Sequence, residues 1–164
     1  METISLYLSL GSNLGDRTRN LDTALSLLCR ELLPLEVELS DKIETQAWGF
    51  KSKNLFLNMA ARLEIPRAGQ NPNLYCHAVL DSCKRIERFL GRSDAEEFDS
   101  QGSRIYHSRI VDIDILFYGT ECIDSDILTV PHKGIAERNF VLLPLRQLSL
   151  AGLPEAFPDI FLSK

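Results

Sequence analysis

Residues 109–119 read Arg-Ile-Val-Asp-Ile-Asp-Ile-Leu-Phe-Tyr-Gly, and the alternation of Val111, Ile113 and Ile115 with Asp112 and Asp114 suits one conformation above others. A β-strand turns successive side chains to opposite faces, so the apolar three enter a core while both carboxylates share the other side. Aspartate is depleted in strands, and two at i and i+2 lie about 7 Å apart, repelling each other unless positive charge stands between them. A hard divalent cation answers that need. Mg2+ takes oxygen ligands at about 2.0–2.1 Å, and a pair of such ions can share carboxylates with the phosphates of a nucleotide. Arg109 fits the same chemistry as a bidentate fork for phosphate oxygens. Taken alone, two acids at this spacing are more simply the wet face of a one-sided strand, so the flanking sequence has to decide.

A chain of 164 residues suits one packed domain, 1–164, and is short for two. Its 45% apolar and 25% charged residues are ordinary for a globular protein, and no run approaches the roughly 18 apolar residues of a membrane span. No membrane partner is expected. The opening Met1-Glu2-Thr3-Ile4-Ser5 has no basic n-region, so a cytoplasmic location is expected. A net charge of −5 argues against nucleic acid as a partner, while leaving room for a local cationic cluster around a small phosphate ligand. Cys29, Cys76, Cys83 and Cys122 show no C-x-x-C spacing and are read as reduced thiols, with Cys76 and Cys83 packing as small apolar residues.

Ile4, Leu6, Leu8 and Leu10 alternate with Ser5, Tyr7 and Ser9, which predicts a half-buried strand running into a turn from Gly11 to Asp16. Leu21, Ala24, Leu25, Leu28 and Leu32 then recur at helical spacing, with Asp16 or Thr18 to cap the start and Pro34 to stop it. Val37, Leu39 and residues 42–45 predict a second strand, and Leu55 to Ile65 a third. The third sorts by parity: Leu57, Met59, Ala61, Leu63 and Ile65 on one face, Phe56, Asn58, Ala60 and Arg62 on the other. An aromatic beside an amide on one sheet face can stack on and hydrogen-bond a flat heterocycle, although a plain side-chain ladder has the same pattern. Pro72 to Leu90 reads as a second helix ended by Gly91, and residues 92–108 as a polar segment long enough to be a functional lid or disordered. Beyond the Asp-bearing strand, Thr120 to Ile123 reads as the return of a hairpin, and short helices are expected around Gly134 to Arg138 and Phe140 to Leu148.

Strand, helix, two strands, helix, strand is the order of an α+β, ferredoxin-like split βαβ sandwich: a mainly antiparallel sheet with helices on one face. Five segments in this order also resemble the 6-hydroxymethyl-7,8-dihydropterin pyrophosphokinase (HPPK) family of folate biosynthesis. They are Leu10-Gly11-Ser12-Asn13-Leu14-Gly15, Thr45 with Phe56-Leu57-Asn58, Arg109 to Leu116, Leu128-Thr129-Val130-Pro131-His132, and Arg138 to Leu145. The resemblance implies an enzyme that transfers the pyrophosphoryl group of ATP to the hydroxymethyl oxygen of 6-hydroxymethyl-7,8-dihydropterin and releases AMP.

By the same resemblance Asp112 and Asp114 hold two Mg2+ ions bridging ATP, with Arg92 and Arg109 completing the catalytic clamp and Asp112 assisting removal of the hydroxyl proton. Tyr106, Ile115, Thr129, His132 and Arg138 serve the nucleotide, with Ile115 against the adenine. Thr45, Trp48, Phe56, Asn58 and Phe140 take the pterin, the two phenylalanines stacking on its faces. The segment of about 92–108 becomes a mobile loop closing over both substrates, and a monomer is expected. Departures from the family pattern cluster at Gln46-Ala47-Trp48, Tyr106-His107, Ile127 and Lys133. Two rivals remain: a non-catalytic member of the fold, and a sheet that stacks RNA bases on Phe56.

Overall fold

The computed structural model describes residues 1–46, 54–67, 71–91, 97–98, 100–102, 104–105 and 110–162. In chain order they form β1 (Thr3–Ser12), α1 (Arg17–Leu32), β2 (Glu36–Leu39), β3 (Ile43–Thr45), β4 (Phe56–Pro66) and α2 (Pro72–Phe89). There follow β5 (Glu97–Phe98), β6 (Arg104–Ile105), β7 (Asp112–Tyr118), β8 (Ile123–Asp124), β9 (Thr129–Val130), α3 (Asn139–Leu145), α4 (Leu153–Ala156) and α5 (Pro158–Phe161). The main sheet runs β2-β4-β1-β7, with β3 also paired to β4, and all these pairings are antiparallel.

Local chemistry accounts for the two long helices. Asp16 caps α1 by accepting from the Arg19 amide, and the helix stops at Leu33, which adopts a left-handed conformation just before Pro34. Asn71 caps α2 by accepting from the Asn73 amide, with Pro72 in the first turn, where its missing N–H costs nothing. Leu21, Ala24 and Leu28 of α1 and Cys76, Val79, Cys83 and Ile86 of α2 pack on Leu6, Leu8, Leu10, Met59, Leu63 and Ile113. Burial pushes the Cys76 thiol up to about 12 and the Cys83 thiol up as well, so both behave as the small apolar residues expected.

The α+β class and antiparallel sheet agree with the sequence, and the two long helices do share one face. The other face, however, is also covered. Tyr7, Ala60, Leu116 and Phe117 form a second apolar cluster with Ile135, Val141, Leu142, Leu145 and Leu153 from the C-terminal segments. β1 is therefore buried on both sides rather than half-buried: the Tyr7 ring meets Phe117 edge-on at 5.9 Å, and its hydroxyl donates to the Ser149 carbonyl at 2.6 Å. A bulge makes this possible. Leu8 pairs with Ile115 but Tyr7 with Phe117, so Leu116 is an extra residue and both Leu116 and Phe117 enter the second cluster.

Two local expectations fail. Ile123 returns not onto β7 but onto β9, pairing with Val130 in a two-stranded hairpin of its own. Residues 133–137 form turns rather than a helix; Gly134 within them is a poor helix residue, and helix begins only at Asn139.

At the end of the sheet away from the acids, Glu64 accepts from the Thr3 and Ser5 hydroxyls, both at 2.6 Å, and pairs with Arg62 at 3.0 Å. Burial pushes the Glu64 carboxyl up, but the hydrogen bonds from Ser5 and Thr3 and the Arg62 charge outweigh it, so it is held below its ordinary value. A carboxyl depressed by folding stabilises the protein above its unfolded pKa of about 4.3, and that stabilisation is lost as pH falls through the lower folded value. Glu64→Gln is expected to cost about 1–2 kcal/mol at pH 7 and much less at pH 3, measured by urea unfolding at the two pH values.

Candidate active site

The sheet register builds the site. Along β7, Asp112 pairs with Gly11 and Asp114 with Ser9; across β1, Gly11 pairs with Asn58 and Ser9 with Ala60. Directly opposed residues point to the same side of a sheet, so both acids share the face of Asn58, and Asp112, Gly11 and Asn58 form one row. Two strand spacings separate the ends of that row by about 10 Å. Both acids are half-buried, while Ile113 between them is in the core.

β7 is an edge strand, and a cleft of about 640 Å³ opens along it. Leu80, Lys84 and Glu87 of α2 form one wall, residues 125–129 another, and His132 to Arg138 a third. The sequence-based candidates Asp112, Asp114, Ile115, Thr129, His132 and Arg138 all border this one cleft. Ile115 does so from the far side of the sheet, where it is 3% exposed and part of the core.

His132 has a definite proton. Its Nδ1 accepts from the Gly134 amide at 3.2 Å, so in the neutral ring the hydrogen sits on Nε2, which lies 4.0 Å from Asp114 Oδ1. Burial, then the Arg138 charge, push the His132 pKa down against the opposing pull of Asp112. The ring is thus neutral at pH 7, and its approach to Asp114 is neither an ion pair nor, at that length, a hydrogen bond. It is an N–H donor at the cleft rim. Arg138 crosses Gly134 closely: a Cβ there would stand 2.6 Å from Arg138 Nε. Its guanidinium carbon lies 6.0 Å from the centre of the Phe140 ring, linking cleft to α3.

On the other side of Gly11, Asn58 is 4% exposed and its Nδ2 donates to the Thr45 hydroxyl at 2.7 Å. That bond fixes the amide orientation and directs Oδ1 towards Gly11, where a Cβ would lie 3.0 Å from Oδ1 and 3.5 Å from the Phe56 ring. Glycine is needed here for space. Arg17 braces the same corner, donating to the Leu55 carbonyl and pairing with Glu44, the residues just before Phe56 and Thr45. Phe140 enters from α3, which packs on β3 and β4.

Trp48, Arg92, Tyr106 and Arg109 lie outside the described residues, as does most of the 92–108 segment. The structure adds residues that pattern reading did not single out. Glu87 is 4% exposed, and its Oε2 accepts from the backbone amide of Ile113, between the two acids. The signal was present: an acid recurring with Cys83, Ile86 and Leu90 on the apolar side of a helix. Lys84, one turn earlier, had no such signal. Gly11→Ala is expected to keep the fold by circular dichroism but to displace the Asn58 side-chain amide resonances in a 15N correlation spectrum, because the added methyl meets Oδ1 at 3.0 Å.

The chain is similar to known proteins over most of its length. Residues 7–150 match the family model described as 7,8-dihydro-6-hydroxymethylpterin-pyrophosphokinase (HPPK). The chain is 38% identical over 152 residues to 2-amino-4-hydroxy-6-hydroxymethyldihydropteridine pyrophosphokinase of Porphyromonas gingivalis, covering 92% of this chain and 95% of that one. It is 32% identical over 144 residues to the protein of the same name from Aquifex aeolicus, covering 88% and 79% respectively. The mitochondrial folate synthesis bifunctional protein of Pisum sativum is 40% identical over 143 residues, which are 87% of this chain but 25% of that longer protein. With nearly the whole of the sheet and the acid-bearing strand inside the match, the chain belongs to the 7,8-dihydro-6-hydroxymethylpterin-pyrophosphokinase (HPPK) family.

Proposed function

We propose that the cleft along β7 takes the phosphates of ATP, that the slot around Asn58 takes 6-hydroxymethyl-7,8-dihydropterin, and that pyrophosphoryl passes between them. The observation that carries this reading is the row Asp112, Gly11, Asn58 on one face of the sheet. It sets a carboxylate pair beside a fixed amide, with no side chain between. The hydroxymethyl oxygen attacks the β-phosphorus in line, the bond from that phosphorus to the oxygen of the α-phosphate breaks, and AMP leaves. The product is the pterin diphosphate of folate biosynthesis.

Asp112 and Asp114 fit Mg2+ as hard oxygen donors at an open cleft. Among the described residues there is no group of three or more acids, histidines or thiols able to hold a metal. Two carboxylates suit an ion that completes its shell with water and substrate phosphates. When bound, a pair of Mg2+ ions supplies charge neutralisation on the triphosphate and polarises the group transferred. His132 donates its Nε2–H to a phosphate oxygen, and Arg138 adds a fixed positive charge from the same rim. Asp112, in the row of Asn58, is nearer by register than Asp114 to take the hydroxyl proton.

Phe56 and Phe140 stack on the two ring faces, and Asn58, held by Thr45, pairs with the amide edge of the pterin. A ring that does not match that edge leaves a buried amide unpaired and is rejected. Thr129 and Ile115 serve the nucleotide, and Arg92, Tyr106, Arg109 and Trp48 keep the roles the family resemblance assigns. The catalytic unit spans 1–164 as one domain and acts as a cytoplasmic monomer; no helix among the described residues is long and apolar enough to cross a membrane.

Incubation with Mg-ATP should release AMP only when the pterin is present; no pterin-dependent AMP would overturn the reading. Asp112→Ala and Asp114→Ala should each lower turnover about a hundredfold or more with the circular dichroism spectrum unchanged, since neither side chain supports the core. Phe140→Ala should weaken pterin binding more than Mg-ATP binding in calorimetry, and equal losses would contradict a stacking role.

A further inference from the structure

The wall of the cleft opposite α2 is the tip of the β8–β9 hairpin, residues 125–128. Two residue pairs make this ladder, too few to hold a hairpin by themselves. Ile123 and Val130 root its base in the core and Leu128 buries one side of the turn there, while Asp126 and Ile127 are exposed. A side chain outside the substrate cleft reaches that turn. His77 of α2 has Nδ1 2.7 Å from the Asn73 carbonyl, which can only accept, so Nδ1 carries the hydrogen and the bare Nε2 accepts from the Ser125 hydroxyl at 2.9 Å.

The same hydroxyl oxygen accepts from the Leu128 amide at 3.1 Å and lies 3.3 Å from the Leu128 carbonyl, the longer of the two acceptors open to its single hydrogen, while the Ser125 amide donates to that carbonyl at 2.9 Å. Ser125 therefore closes the turn and, through its hydroxyl, bonds it to α2. His77 stands one turn before Leu80 and two before Lys84, the α2 residues that face the hairpin across the cleft. The bond at the end of this slot thus adds to the core contacts of Ile123, Leu128 and Val130 in setting the distance between its walls.

We propose that His77 is a positioning residue for the nucleotide: through Ser125 it holds residues 125–129 at a set distance from α2, and so tunes affinity for ATP without touching it. This rests on the reading of the cleft as the ATP site. The test is steady-state kinetics together with calorimetric binding of a non-hydrolysable ATP analogue. His77→Phe should raise the KM for Mg-ATP and the Kd of the analogue by about threefold to tenfold, leaving kcat and the pterin KM within about twofold. His77→Gln, whose amide can still accept from the hydroxyl, should recover most of the loss. Ser125→Ala, which also loses the bond from the Leu128 amide, should cost at least as much, and adding His77→Phe to it should cost little further in Mg-ATP affinity, since the bond the two residues share is already gone.

An unchanged Mg-ATP KM in both His77→Phe and Ser125→Ala overturns the proposal, as does a parallel loss of pterin affinity and kcat. Wild-type protein that fails to bind the analogue overturns the reading of the cleft itself, a result distinct from normal wild-type binding that the variants do not alter.

Discussion

Antiparallel pairing of β1 with β4 on one side and β7 on the other aligns Gly11 with both Asn58 and Asp112, and every property of the site depends on that alignment. Strand periodicity is two, so a slip of one residue in either ladder would turn the amide or the acids into the opposite layer. The alignment is held by burial. Leu6, Leu8, Leu10, Met59, Leu63, Ile113 and Ile115 belong to one apolar layer, and a slipped register would expose some of them while burying charge. The functional face is a consequence of what its reverse side must bury.

That face is itself divided along β1. Towards its start, Tyr7 and the bulged Leu116-Phe117 pair are sealed under the C-terminal helices; towards its end, Ser9 and Gly11 carry small side chains or none. The bulge at Leu116 changes the parity of β7 where one function gives way to the other. Before it, alternate residues are the acids at the cleft; after it, Phe117 joins Tyr7, Phe157 and Phe161 in an aromatic cluster. One strand can thus serve a polar site and a dry core on the same side.

Charge in the cleft follows the same economy. The protein is acidic overall, with a net charge of −5, yet a neutral imidazole N–H and a guanidinium face the acid pair from the His132–Arg138 segment. Burial and Arg138 keep His132 uncharged, so it acts as a directed donor rather than as a counter-ion to Asp114. Gly134 contributes by lacking a side chain: it supplies the amide that sets the His132 tautomer and the space across which Arg138 lies.

Much of this is legible in the chain alone. The alternation in β1, β4 and β7, the caps Asp16 and Asn71 and the parity that groups Phe56 with Asn58 are encoded within a few residues of one another, and local sterics and hydrogen bonding decide them. The partners of these elements are not encoded so locally. Nothing near Tyr7 announces that Ser149 will accept its hydroxyl proton, nothing near Ile123 that it will pair with Val130, and nothing near His77 that Ser125 will meet it. Glu87 reads as a misplaced acid until the sheet brings the Ile113 amide to it. Local pattern is enough to say which side of each element is apolar and which residues carry chemistry. What lies opposite them emerges on folding, because contacts between distant segments are selected by how whole faces fill space together.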